Sequence, residues 1–327
     1  MLQVQYFNPF INALFDEKVC FLTGEELDDN PDFITVFPSW VMDRFELRSR
    51  TFKMMDNHTT IRYEDMKLPC TKEVKSVFNS LEKEIKAAFE GGYEAVCKLE
   101  SEKIFWWSAK IVYGTLYTDL VAEKKKQDAT NKNLELSPTL RERLSFFHLT
   151  LQTILHPLKY KDRQPWSISI VQLKYTKDLF NYHDDTINLL FSLGMKGFGI
   201  IVCLQDNGLI KNHYADILGQ IGQTVMHPIQ FEELYSRFLY SNFLLKNKPK
   251  FKFETNGSGY VLEALPTGEA EFGKRDDNTF AAVLGEYWKP WGIEAKDIVK
   301  FPEGTKSFLE TEKDYQYIDP LSIDLPF

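Results

Sequence analysis

The side chains able to do acid–base, nucleophilic or metal chemistry lie far apart in this chain of 327 residues. Its four cysteines stand at 20, 70, 97 and 203, and no two form a Cys-x-x-Cys pair. A structural zinc needs four thiolate or imidazole ligands. Cys20 and Cys70 could therefore hold a metal only with further help, and His58 could join them as a third ligand. An exposed turn histidine is the simpler reading of His58. His183-Asp184-Asp185 has the composition of a metal or acid–base cluster, but adjacent residues on a helix point apart. The two aspartates read more simply as the N-terminal cap of a helix over 186–193. Asp206-Asn207-Gly208 follows an apolar run that ends at Leu204. A carboxylate beyond a buried strand can be catalytic in an open α/β sheet, yet the same triplet is an ordinary turn. His156 and His227 precede prolines and read as element ends. Gly194, Gly197 and Gly199 lack the Gly-Lys-Ser/Thr ending of a phosphate loop, and no Gly-x-Ser-x-Gly elbow is present.

The elements that must position these residues begin with short extended segments, 18–23 and 33–40. The pattern then predicts a hairpin of 50–56 with 59–68, turning at Asp56-Asn57-His58. Thr71 is the expected N-cap of a helix whose apolar face runs through Val74, Val77, Phe78, Leu81, Ile85 and Phe89 and which stops at Gly91-Gly92. A second helix over 102–120 is apolar nearly all round, which predicts burial. Residues 122–137, AEKKKQDATNKNLELS, are polar and read as a loop or linker. Ser137-Pro138 opens another helix that ends before His156-Pro157. In the second half, 166–175 and 197–204 read as strands and 213–221 and 228–245 as helices. Residues 250–254 and 259–265 read as a hairpin, and 278–288 as a helix. Strands and helices mix without a regular βαβ rhythm, so the fold class is α+β. The expected organisation is a first domain over 1–121, the linker 122–137, and a mixed α/β domain over 138–327.

Apolar residues make up 43% of the chain and charged residues 26%, as in ordinary globular proteins. The net charge of -8 argues against a general binder of nucleic acid or anionic membrane. The helix over 102–120 is interrupted by Lys110 and Asp119 and is not expected to span a membrane. Scattered cysteines, and a start without a basic segment and an unbroken apolar core, predict a reducing, cytoplasmic setting.

Cys20-Phe21-Leu22-Thr23, Ile34-Thr35-Val36-Phe37-Pro38, Cys70-Thr71-Lys72-Glu73-Val74 and Asn79-Ser80-Leu81-Glu82 come in a recognisable order. The first third of the chain, about 18–120, resembles a bacterial HNH-endonuclease family. There a ββα-metal core lies between two zinc knuckles and a helix with a Leu-x-x-Glu pattern follows. The resemblance implies an HNH-like ββα core followed by helices. It also implies that the diagnostic residues are gone. Thr23 and Glu73 replace the second cysteine of each knuckle. Thr35 stands where the general-base histidine belongs, Ile34 where the acid before it belongs, and Val74 where the asparagine belongs. A hydroxyl cannot replace imidazole in activating water, and no matching position holds a catalytic metal.

The expectation is a non-catalytic relative of HNH nucleases, a binding or structural module with no cofactor and no zinc. Its partner would be a protein or weakly bound nucleic acid. Two alternatives stand beside it. One is an enzyme of unrelated chemistry with its site in the C-terminal half, around His183, Asp184, Asp185 or Asp206. The other is a metal-dependent nuclease with a displaced site.

Overall fold

The computed structural model describes residues 6–11, 14–56, 58–128, 136–161, 163–256, 259–265, 268–300 and 304–326. In chain order the strands are β1 (Asp32–Thr35), β2 (Thr51–Lys53), β3 (Thr60–Arg62), β4 (Lys67–Cys70), β5 (Lys159–Tyr160), β6 (Ser167–Leu173), β7 (Asn181–Asp185), β8 (Leu190–Met195), β9 (Gly197–Cys203), β10 (Phe251–Asn256) and β11 (Gly259–Ala264). The helices are α1 (Ser39–Arg44), α2 (Lys72–Glu90), α3 (Tyr93–Val96), α4 (Ser101–Asp128), α5 (Pro138–Leu151), α6 (Leu209–His213), α7 (Ala215–Ile221), α8 (Pro228–Leu244), α9 (Asp277–Trp288) and α10 (Ala295–Ile298). The class is α+β, with small, mostly antiparallel sheets and helices mixed. Among the described residues no helix is long and apolar enough to cross a membrane.

The chain divides into two compact units. The first comprises 1–91, 98–160 and 253–262; the second comprises 92–97, 161–252 and 263–327.

In the first unit β1 pairs antiparallel with β4, Ile34 opposite Leu68 and Asp32 opposite Cys70. One residue later the chain enters α2, where the Thr71 hydroxyl accepts from the Val74 N–H and caps the helix. The buried stripe of α2 is Val74, Phe78, Leu81, Ile85, Ala88 and Phe89. Those positions recur at steps of three and four, so they form one face. Helix α4 lies against α2, and every residue from Trp107 to Tyr117 is buried. Trp107 meets Phe89 edge-on with ring centroids 5.2 Å apart. The β11 segment of this unit pairs parallel with β5, Val261 opposite Lys159.

The second unit is built on an antiparallel sheet of order β6-β9-β8-β7. Both β8 and β9 are buried almost throughout. Helix α8 approaches this sheet closely because Gly194 and Gly199 offer no side chain. A Cβ on Gly199 would sit 2.4 Å from the Phe231 ring. Glu233, on the same helix, is buried and ties the C-terminal segment to it. Its carboxylate accepts from Arg237, from the Ser307 hydroxyl and from the backbone N–H groups of Phe308 and Leu309.

Four local expectations are corrected. Residues 18–23 form turns with a single bridge, Val19 to Glu26, rather than a strand. The packing of Cys20, Phe21 and Leu22 into the core replaces ladder bonding, with the Gly24 N–H donating to the Cys20 carbonyl. The hairpin of 50–56 with 59–68 shrinks to β2 and β3, because Lys67–Cys70 leaves it to pair with β1; Asn57, in its turn, lies outside the described residues. Helix α4 runs through the expected linker as far as Asp128, since Ala, Glu, Lys and Gln favour helix; Gln127 donates to Glu123 one turn back. Residues 129–135 lie outside the described residues. Finally, 186–193 is no helix. His183, Asp184 and Asp185 end strand β7, a turn follows, and β8 begins at Leu190. Asp185 caps that turn by accepting from the backbone and the side chain of Asn188.

Candidate functional site

The first set of predicted residues surrounds the β1–β4 pair. Cys20 and Cys70 are buried free thiols. The Phe21 N–H donates to the Pro69 carbonyl at 2.9 Å, which brings the two cysteine segments side by side. Burial pushes the Cys70 thiol up to about 12, and the neighbouring Cys20 and Asp32 charges add to it. A thiol held this far above neutrality is a poor nucleophile.

The residues around the pair do not fit a structural zinc. Glu73 is exposed on the first turn of α2. The Thr23 hydroxyl accepts from the Glu25 N–H. His58 is exposed beside the β2–β3 turn, where its own backbone N–H donates to Asp56. Among the described residues no three His, Cys, Asp or Glu side chains come together as a metal group.

Ile34 and Val74 are buried, and Thr35 pairs with Lys67 across the strands. Sequence reasoning missed what lies beneath them. Lys110 of α4 is fully buried. Its ammonium donates to the carbonyls of Thr35 (3.0 Å) and Val36 (2.8 Å) and to Glu82 Oε1 (2.8 Å). A buried cation needs such partners. A lysine inside an otherwise apolar helix, with Glu82 on the facing helix, was the signal in the sequence.

The second set lies in the C-terminal unit. Asp206 is fully buried and closes the turn into α6. It accepts from the Ser167 hydroxyl at 2.8 Å and from the N–H groups of Gly208 and Ile210, both at 3.1 Å. Burial raises its pKa to about 6, against those hydrogen bonds, which lower it.

His183 stands apart from Asp206 and joins residues that the sequence reading had not singled out. Successive side chains on a strand alternate faces. Asn181 and His183 therefore point one way from β7, towards Glu232 and Tyr235, which sit three apart on α8. His183 Nε2 lies 3.0 Å from Glu232 Oε2, the histidine side chain 25% exposed and the carboxylate only 3%. Asn181 Nδ2 donates to the other oxygen, Glu232 Oε1, and also lies 2.8 Å from the Tyr175 hydroxyl. The imidazole stacks on Tyr235, with centroids 5.3 Å apart, and meets Tyr287 edge-on at 4.8 Å. Burial drives the Tyr235 hydroxyl well above its ordinary pKa and the Tyr287 hydroxyl to about 12, so both stay protonated. The signal for Glu232 was legible. Glu232-Glu233 is an acidic pair between Phe231 and Leu234, on a helix otherwise suited to a core.

Neither protein-family models, nor curated proteins, nor solved structures give a match to this chain.

Proposed function

We propose that this protein is a non-catalytic relative of HNH nucleases that serves as a binding or structural module. The observation that carries the reading is the strand pair β1–β4 running straight into α2, with an apolar or otherwise engaged residue at each position where a nuclease keeps its chemistry. Ile34 and Val74 are buried in the core. The Thr35 carbonyl receives the Lys110 ammonium. The adjacency of Cys20 and Cys70 also supports it, since in a zinc-knuckle ancestor those thiols would have shared one metal. Metal-assisted hydrolysis needs an activated water and a cation to neutralise phosphate charge, and these residues offer neither.

The test is incubation with plasmid, single-stranded DNA and RNA in Mg²⁺, Mn²⁺ or Ni²⁺. The expected result is no cleavage, and none after Thr35→His, because the remaining metal-holding positions are still missing. Cleavage that follows the protein through purification and disappears on replacing one acid or histidine would overturn the reading.

A further inference from the structure

The first unit carries a pocket of about 530 Å³ that none of the nuclease-like positions lines. Every residue around it belongs to that unit. Its volume lies within the roughly 300–1,000 Å³ of small-molecule sites. The apolar walls are Phe33 of β1, Met54, Ile61 of β3, and Tyr117, Val121 and Ala122 of α4. Residues 117, 121 and 125 recur at steps of four and share one face of that helix. The part of α4 beyond Leu120, where a linker was expected, thus supplies Val121, Ala122 and Lys125 to the wall. Met54 and Tyr117 are buried, whereas Phe33, Ile61, Val121 and Ala122 are half-buried. Part of their apolar surface therefore meets water, at a cost that an apolar ligand would relieve.

The polar groups of the pocket select the ligand. Most are engaged. The Tyr117 hydroxyl donates to the Asp16 carbonyl, Thr118 to the Gly114 carbonyl and Thr59 to the Asp56 carboxylate. Glu17 pairs with Lys125 at 3.0 Å, and Asp65 with Arg62 at 2.8 Å. The Lys67 ammonium and the Thr60 hydroxyl line the same pocket and have no partner among the described residues. Lys67 stands opposite Thr35 in the β1–β4 pair, so alternation along the strands puts it on the same face as Phe33. The unmatched charge beside the apolar walls is a single cation. A carboxylate meets it with a charge-assisted hydrogen bond. A phosphate dianion would carry twice that charge towards Glu17 and Asp65, which repel it. The rings of Phe33 and Tyr117 and the Met54 thioether suit a flat aromatic body.

We propose that this pocket binds a small aromatic monocarboxylic acid, its carboxylate paired with Lys67 Nζ and its ring packed against Phe33, Ile61 and Val121. Such binding requires no nuclease ancestry, so it and the absence of DNA cleavage can fail independently.

The full chain, labelled with carbon-13 in its methionine methyl groups, tests this by NMR with 2-naphthoate as the probe. The Met54 signal, assigned from Met54→Leu, should move saturably, while that of Met226 in the second unit stays in place. The neutral 2-naphthalenemethanol should bind about fivefold more weakly than the acid. Lys67→Gln should remove that preference, and because Lys67 is exposed on β4 this variant is expected to fold. Ala122→Trp, which fills the pocket from the α4 wall, should abolish the shift with the circular dichroism spectrum unchanged. Inorganic phosphate should move nothing. A Met54 signal that stays fixed up to about 1 mM probe would overturn the site. Equal affinity for acid and alcohol, tighter binding of 2-naphthylmethylamine, or an acid preference that survives Lys67→Gln would overturn the ligand class.

Discussion

Two buried residues respond to acid in opposite directions. His148 of α5 is fully buried, and burial lowers its pKa to about 4. Its Nε2 lies 2.8 Å from the Phe21 carbonyl, and its Nδ1 lies 3.2 Å from the Phe7 carbonyl and 3.0 Å from the Gln152 amide nitrogen. A carbonyl only accepts, so the Phe21 carbonyl calls for a proton on Nε2, while Nδ1 faces both an acceptor and a donor. The unfolded chain takes up this proton near 6.5, the folded chain only near 4. Acidification through that window favours unfolding by about 3 kcal/mol, and the effect levels off below it. Asp206 is raised to about 6 from 3.8. The folded state takes up its proton first, so acidification through that window favours folding, again by about 3 kcal/mol. Urea titrations from pH 7 to pH 4 should show His148→Asn flattening the acid loss of stability and Asp206→Asn steepening it. Parallel pH profiles for the wild type and both variants would contradict the burial argument.

Helices and strands meet here through close approach. Trp107 on α4 is 1% exposed and packs edge-on to Phe89 of α2. Truncation to Ala removes the largest side chain of that contact. We expect Trp107→Ala to cost about 3–5 kcal/mol in urea unfolding. A loss below about 1 kcal/mol would mean that the two helices do not depend on this ring. The glycines of β8 and β9, which had no phosphate-loop context, serve the same kind of approach. They let Phe231 settle on the sheet and so bring Glu232 of α8 towards β7. Gly197 between these strands has φ +105°, a conformation that favours glycine at the hairpin turn.

In the first unit, apolar packing surrounds the buried thiols of Cys20 and Cys70. The rings of Phe21, Phe78 and Tyr113 cluster with centroids about 6 Å apart beside the two thiols. Elemental analysis of the purified protein is expected to show no stoichiometric zinc, and a chelator should leave its thermal midpoint unchanged. One tightly held equivalent, lost in Cys20→Ser or Cys70→Ser together with a fall in that midpoint, would mean that a metal contributes to folding.

The sequence alone determined the α2 cap at Thr71, the two buried helices, the apolar strand that became β9 and the α+β class. Those follow from local periodicity and from residues that cap or break an element. It also placed the cysteine, isoleucine, threonine and valine positions of the β1–β4 and α2 region in their order. Only tertiary structure decided that Lys67–Cys70 abandons its hairpin for β1, and that His183-Asp184-Asp185 ends a strand instead of capping a helix. The isolated segment is compatible with either outcome, and the choice depends on partners distant in sequence. The same reason hid the Lys110–Glu82 and His183–Glu232 pairs. The members of each pair are far apart along the chain, and only the packing of helix on helix, or of helix on sheet, brings them together.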